Sequence, residues 1–167
     1  MIPYGRQSVG RQDIKNLNKV LKSNWLTQGP LVEKFEKEIC KFVGAKYAVA
    51  TNSASSALHI SCLALGLNSK QYFWTVPNSF VASANCGLHC NAKVDFVDID
   101  KNTWNLSPES LRNKLEKIKD KKKMPKVIIP VHFAGQSSEQ KEIKDLSKKY
   151  KFKILEDASH SLGGTYK

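Results

Sequence analysis

The stretch Phe152-Lys153-Ile154-Leu155-Glu156-Asp157-Ala158-Ser159-His160-Ser161-Leu162-Gly163-Gly164 runs an apolar strand straight into two acids, a histidine and paired glycines. In a parallel α/β sheet, ligands bind in the crevice beyond the carboxyl ends of the strands. Glu156, Asp157 and His160 fall where a strand over residues 152–155 runs out. Asp157 is the acid on which a site here would turn. The same residues also fit a structural role, with Asp157 capping the next turn and His160 an ordinary polar side chain at the sheet edge. The choice between the two depends on whether the rest of the chain supplies the other parts of a site.

Working back from that strand, the apolar pattern alternates between periods of two and of three to four residues. Residues 126–131 read as a strand and 139–150 as a helix with Ile143 and Leu146 inward. Before them, residues 94–97 read as a strand, and Ser107-Pro108-Glu109 gives a helix start with Ser as cap and Pro at the first helical position. Earlier still come a strand over 47–51, a helix over 53–65, a strand over 72–76 and a helix over 79–89. Repeated βαβ units joined right-handedly predict an α/β fold, a mostly parallel sheet with helices on both faces. The first 45 residues differ, being loop and helix only. An irregular arm leads to a helix over 13–22 with Asp13 available as cap, and after the turn signal Gly29-Pro30 a second helix carries Leu31, Phe35, Ile39 and Phe42 to Gly44.

Two further strand ends carry chemistry. Thr51-Asn52-Ser53-Ala54-Ser55-Ser56 opens a helix with small residues and hydroxyls, which suits a phosphate because the first-turn N–H groups lack intrahelical partners; a plain Ser cap fits as well. The glycines of a Walker loop or a GxGxxG fingerprint are missing, which disfavours an ATPase or a Rossmann dehydrogenase. At Val76-Pro77-Asn78-Ser79-Phe80 an aromatic stands where a strand ends, able to stack on a planar ring or simply to join the core.

Composition sets wider bounds. With 167 residues and 41% hydrophobic content the chain can build a real core. Its net charge of +12 suggests anionic partners, but the surplus lies in lysine runs over 112–126 and 141–153 that read as solvated faces. Neither nucleic acid nor membrane is expected as a partner. Cys40, Cys62, Cys86 and Cys90 form no CxxC pair and read as buried thiols; Cys86 and Cys90 with His89 lack a second ligand pair for zinc, so no metal is expected. No basic stretch followed by an apolar one opens the sequence and no apolar run reaches bilayer length, and a cytoplasmic protein is expected.

A phosphate cup, an aromatic plate and an acid with a histidine, in that order, match in kind the sites of fold-type I pyridoxal-phosphate enzymes. In detail the chain resembles the DegT/DnrJ/EryC1/StrS sugar aminotransferases. The motifs are Leu26-Thr27-Gln28-Gly29-Pro30, Thr51 to His59, Pro77-Asn78-Ser79-Phe80-Val81-Ala82-Ser83-Ala84-Asn85, Val94-Asp95-Phe96-Val97-Asp98-Ile99 and Glu156 to Gly163.

The resemblance implies the PLP-dependent transferase fold type I, with pyridoxal 5'-phosphate as cofactor and a homodimer as the assembly. It implies transamination of a UDP-linked 4-keto-6-deoxy-N-acetylhexosamine with glutamate as amino donor, in nucleotide-sugar biosynthesis of the pseudaminic acid type. Carried over residue by residue, Ala54 and Ser55 would hold the cofactor phosphate, Phe80 would stack on the ring, Asp157 would pair with the ring nitrogen and His160 would bond the phenolic oxygen. Tyr4 and Asn24, Trp25, Leu26 and Thr27 would touch the sugar nucleotide. Two positions depart from the family's usual residues: His160 stands where Gln is common and Ala54 where Gly is common. By the same resemblance the Schiff-base lysine would lie beyond residue 167, so residues 1–45 would be arm and helices and 46–167 an incomplete large domain, inactive alone. A related aminotransferase or dehydratase, or an inactive binding module on this fold, remains as the alternative.

Overall fold

The computed structural model describes residues 5–166, and the chain divides into two compact units, Met1–Ala50 and Thr51–Lys167. In the first unit, α1 (Arg11–Leu21) and α2 (Pro30–Val43) are amphipathic helices. Helix α1 begins two residues before the predicted start because Gly10 is its cap. Asp13 sits in the first turn instead, with Oδ2 accepting the Gly10 N–H at 2.7 Å, so it satisfies an orphan donor from inside the helix. Pro30 opens α2 and Gly44, at φ 71°, closes it in the left-handed conformation that glycine adopts freely.

Residues 47–51, predicted as a strand, are extended but join no ladder among the described residues. Tyr47 and Val49 are exposed and the Ala50 N–H donates to the Glu36 side chain at 2.8 Å. β-rich composition fits a pleated surface but does not make a strand without a neighbour to pair with.

The second unit is the predicted α/β layer structure. Its elements run α3 (Ala54–Ala64), β1 (Tyr72–Thr75), α4 (Ala82–Leu88), β2 (Lys93–Phe96), α5 (Pro108–Glu116), β3 (Pro125–Ile129), α6 (Gln140–Tyr150) and β4 (Lys153–Ile154). All three strand pairings are parallel and the order is β2-β1-β3-β4. The chain therefore steps one way from β1 to β2, then crosses back over β1 to β3 and β4. Right-handed crossovers in opposite directions place their helices on opposite faces. The core divides accordingly: Phe73, Val127 and Ile129 pack with Leu58 and Cys62 of α3 and Ala82 and Cys86 of α4, while Trp74 and Ile128 pack with Leu111 and Leu115 of α5 and Ile143 and Leu146 of α6. Adjacent strand residues point to opposite faces, which is why near-continuous apolar runs such as Val127-Ile128-Ile129 are buried throughout.

The reversal of strand order between β1 and β3 is a topological switch point, and in open α/β sheets ligands bind at such a point, beyond the strands' carboxyl ends. The predicted helix over 79–89 starts only at Ala82. The loop before it is held out by Asn78, whose Nδ2 donates to the Trp104 carbonyl at 2.8 Å. The predicted last strand, 152–155, narrows to Lys153–Ile154. The ladder nonetheless reaches Asp157 through an isolated parallel bridge to Val131.

Candidate active site

Asp157 is fixed by its backbone before its side chain does anything. Its N–H donates to the Pro130 carbonyl at 2.9 Å and its carbonyl accepts the His132 N–H at 3.0 Å, continuing the β3–β4 ladder past the regular strands. Asp157 is 7% exposed, and each carboxylate oxygen has a hydroxyl donor: Ser83 to Oδ2 at 2.7 Å and Ser159 to Oδ1 at 2.6 Å. Ser83 lies on the core face of α4, within hydrogen-bond distance of Ser79 at 3.1 Å. A carboxylate removed from water and held by hydroxyls on both oxygens is suited to a cationic N–H, and the four or so lone-pair sites of such a group leave room for one more donor.

Glu156, the neighbouring residue, points to the other side of the sheet. Its Oε2 lies 3.5 Å from Nε2 of His132, a side chain only 4% exposed, and that hydrogen bond holds the Glu156 carboxyl below the usual glutamate range against the upward push of burial. The Ser138 N–H donates to His132 Nδ1 at 3.1 Å, which assigns the ring proton to Nε2, toward Glu156. Asn105, also buried, receives the Phe133 N–H at 2.8 Å and donates to the Gln136 and Ser137 carbonyls at 3.2 Å, so it fixes the loop after β3. Within that loop Gly135 has φ 90°, and a Cβ there would lie 2.9 Å from the His160 carbonyl oxygen. The His160 backbone thus packs closely on glycine, with its side chain in an exposed loop.

Ala54 and Ser55 form the exposed first turn of α3, capped by Ser53, whose Oγ accepts the Ser56 N–H at 3.1 Å. The cap leaves the Ala54 and Ser55 N–H groups in the first turn, where no intrahelical carbonyl reaches them. The far end of α3 leads to the start of β1 and is tied to the start of β3 by Lys126, whose Nζ donates to the Gly66 carbonyl at 2.8 Å. The N-terminus of α3 therefore lies toward the carboxyl edge of the sheet, as does Phe80, 74% exposed in the loop after β1. The open first turn of α3, an apolar ring and a buried acid share one edge of this unit.

Asn24, Trp25, Leu26 and Thr27 belong to the other unit, between α1 and α2. Trp25 and Leu26 are exposed, and Trp25 lies so close to Gly29 that a Cβ there would be 2.7 Å from the Trp25 Cβ. Tyr4 lies outside the described residues. Ser83, Ser159, His132 and Asn105 were not singled out as site residues from the sequence. Ser83 lies within the stretch Pro77 to Asn85, but only the fold brings it to an acid 74 residues away.

The DegT/DnrJ/EryC1/StrS aminotransferase family matches residues 7–167. The chain belongs to that family. Among its curated relatives is the UDP-4-amino-4,6-dideoxy-N-acetyl-beta-L-altrosamine transaminase of Campylobacter jejuni serotype O:2, 41% identical over all 167 residues and over 43% of the relative. Solved structures share the fold. Helicobacter pylori PseC, an aminotransferase of pseudaminic acid biosynthesis, superposes with a TM-score of 0.85 at 33% identity, over 99% of this chain and 43% of that one. The Bacillus subtilis protein ntda, solved with its cofactor PMP, gives 0.82 at 33% identity, over 90% of this chain and 33% of its own. The chain spans about two fifths of the length of the curated relatives it matches.

Proposed function

We propose that this chain supplies the cofactor-holding part of a pyridoxal-phosphate-dependent aminotransferase, acting on a UDP-linked 4-keto-6-deoxy-N-acetylhexosamine with glutamate as amino donor. The observation that carries this reading is the buried Asp157 carboxylate at the switch-point edge, held by Ser83 and Ser159 with capacity for a further donor. When bound, the cofactor supplies an electron sink for the carbanion formed as an amino group is transferred. Asp157 would keep the ring nitrogen protonated, since a buried anion beside it favours the charged form. The first-turn N–H groups of Ala54 and Ser55 would hold the phosphate, Phe80 would cover a face of the ring, and His160 would hold its phenolic oxygen. The relative from Campylobacter supports the sugar-nucleotide class. Asn24, Trp25, Leu26, Thr27 and Tyr4, loop and arm residues, are assigned to that substrate, and a homodimer is the assembly proposed.

Asp157→Asn tests the assignment. An amide can still pair with both serine hydroxyls, so the fold should survive, while the negative charge is lost. In the enzyme reconstituted with pyridoxal phosphate, glutamate-driven amination of the cofactor should fall by on the order of a hundredfold or more. Turnover at the wild-type rate would remove Asp157 from the site.

A further inference from the structure

Cys62 on α3 and Cys86 on α4 bring their sulfurs to 3.6 Å in the core, with exposures of 0% and 1%. Helix α4 is built from small residues, and at Gly87 the Phe73 ring of β1 occupies the place of a side chain, so α4 lies close on the sheet beside α3. A disulfide has an S–S length of about 2.05 Å, so a closure of about 1.5 Å, shared by two side chains and a short helix, joins the sulfurs. We propose that Cys62 and Cys86 are a redox-modification site, where an oxidant of the peroxide class closes an intramolecular disulfide that ties α3 to α4.

The arrangement selects this pair and an order of events. The Cys62 thiol donates to the Cys86 sulfur, which favours negative charge on Cys86 and makes it the nucleophile, while donation and burial push the Cys62 thiol up. Cys90 instead donates its thiol to the Cys86 carbonyl at 3.5 Å. Cys86 attacks the peroxide, forming a sulfenic acid and releasing one water; Cys62 then attacks that sulfur, the S–O bond breaks and a second water leaves. Two thiols lose two electrons and two protons to one peroxide. A buried thiol in a rigid core is inert, so access requires local opening. Helix α4 provides for it, with seven residues, no side-chain cap at Val81, and Phe80 and Val81 exposed just before it.

Cys86 also donates to the Ser83 carbonyl at 3.4 Å, one turn from the hydroxyl that holds Asp157. Closing the disulfide removes that thiol proton and disturbs the turn carrying Ser83. This consequence rests on the function proposed above; the disulfide does not.

The test is a thiol map of the chain after hydrogen peroxide under native conditions, with alkylation, unfolding and digestion, read with and without reductant. Expected is a linked Cys62–Cys86 peptide lighter by two hydrogens, and two of the four free thiols lost and restored by reductant. The link should persist in Cys90→Ala and Cys40→Ala and vanish in Cys62→Ala. A Cys86–Cys90 link, pairing through Cys40 between molecules, sulfinic acid at Cys86 with Cys62 intact, or four unmodified thiols would each overturn the proposal. The map is read without cofactor, so its failure is separate from any failure of the aminotransferase reading.

Discussion

Ser83 and Asp157, 74 residues apart in the chain, are joined by a 2.7 Å hydrogen bond between a helix on one face of the sheet and the end of the β3–β4 ladder. Ser83→Ala would leave a buried carboxylate oxygen without its donor. Hydrogen bonds to charged groups contribute about 1.5–3 kcal/mol, so urea unfolding should show a loss of that size. Cofactor titration should show weaker retention as well. Unchanged stability would mean that the hydroxyl is replaced by water.

Phe80 gives the opposite pattern. At 74% exposure it contributes little to the core, so Phe80→Ala should change stability by no more than about 0.5 kcal/mol. Stacking contributes about 0.5–1.5 kcal/mol, and pyridoxal-phosphate affinity should fall by a corresponding few-fold to tenfold. A large loss of stability with unaltered affinity would assign Phe80 to packing.

The His132–Glu156 contact predicts an acid limb in stability. Because the folded-state pKa of Glu156 is lowered, its contribution is full above the ordinary glutamate pKa of about 4.3 and is lost as pH falls through the lower folded value. Glu156 is half exposed, so solvent screening keeps the contribution under about 1 kcal/mol. Glu156→Gln, which can still bond His132, should flatten the dependence of the urea midpoint on pH below that range. Parallel pH profiles for the two proteins would count against it.

Lys151 closes α6 at φ 65°, a left-handed conformation that costs a residue with a Cβ. Lys151→Gly should therefore stabilise the chain by about 0.5–1 kcal/mol in thermal or urea unfolding. A destabilised variant would show that the lysine side chain holds α6 in some other way.

The layers of this protein were legible in its sequence because they depend on local periodicity. Apolar runs such as Val127-Ile128-Ile129, the Ser107-Pro108 helix start and the Gly44 stop each act within a few residues, and each appears where expected. Asp157 was legible for the same reason, as an acid just past an apolar run. What depends on partners distant in sequence was not. Residues 47–51 have strand composition but pair with no strand among the described residues, and Asp13 was assigned to the wrong end of its turn because Gly10, with no side chain to signal a cap, begins the helix. Only the tertiary structure decided that Ser83 from α4 and His132 from the β3 loop support Asp157 and Glu156 on opposite faces of one strand, and that two cysteines on different helices meet. Alternation along a strand fixes that adjacent side chains part company, whereas the residues that meet them are fixed by strand order and crossover hand, which no local pattern encodes.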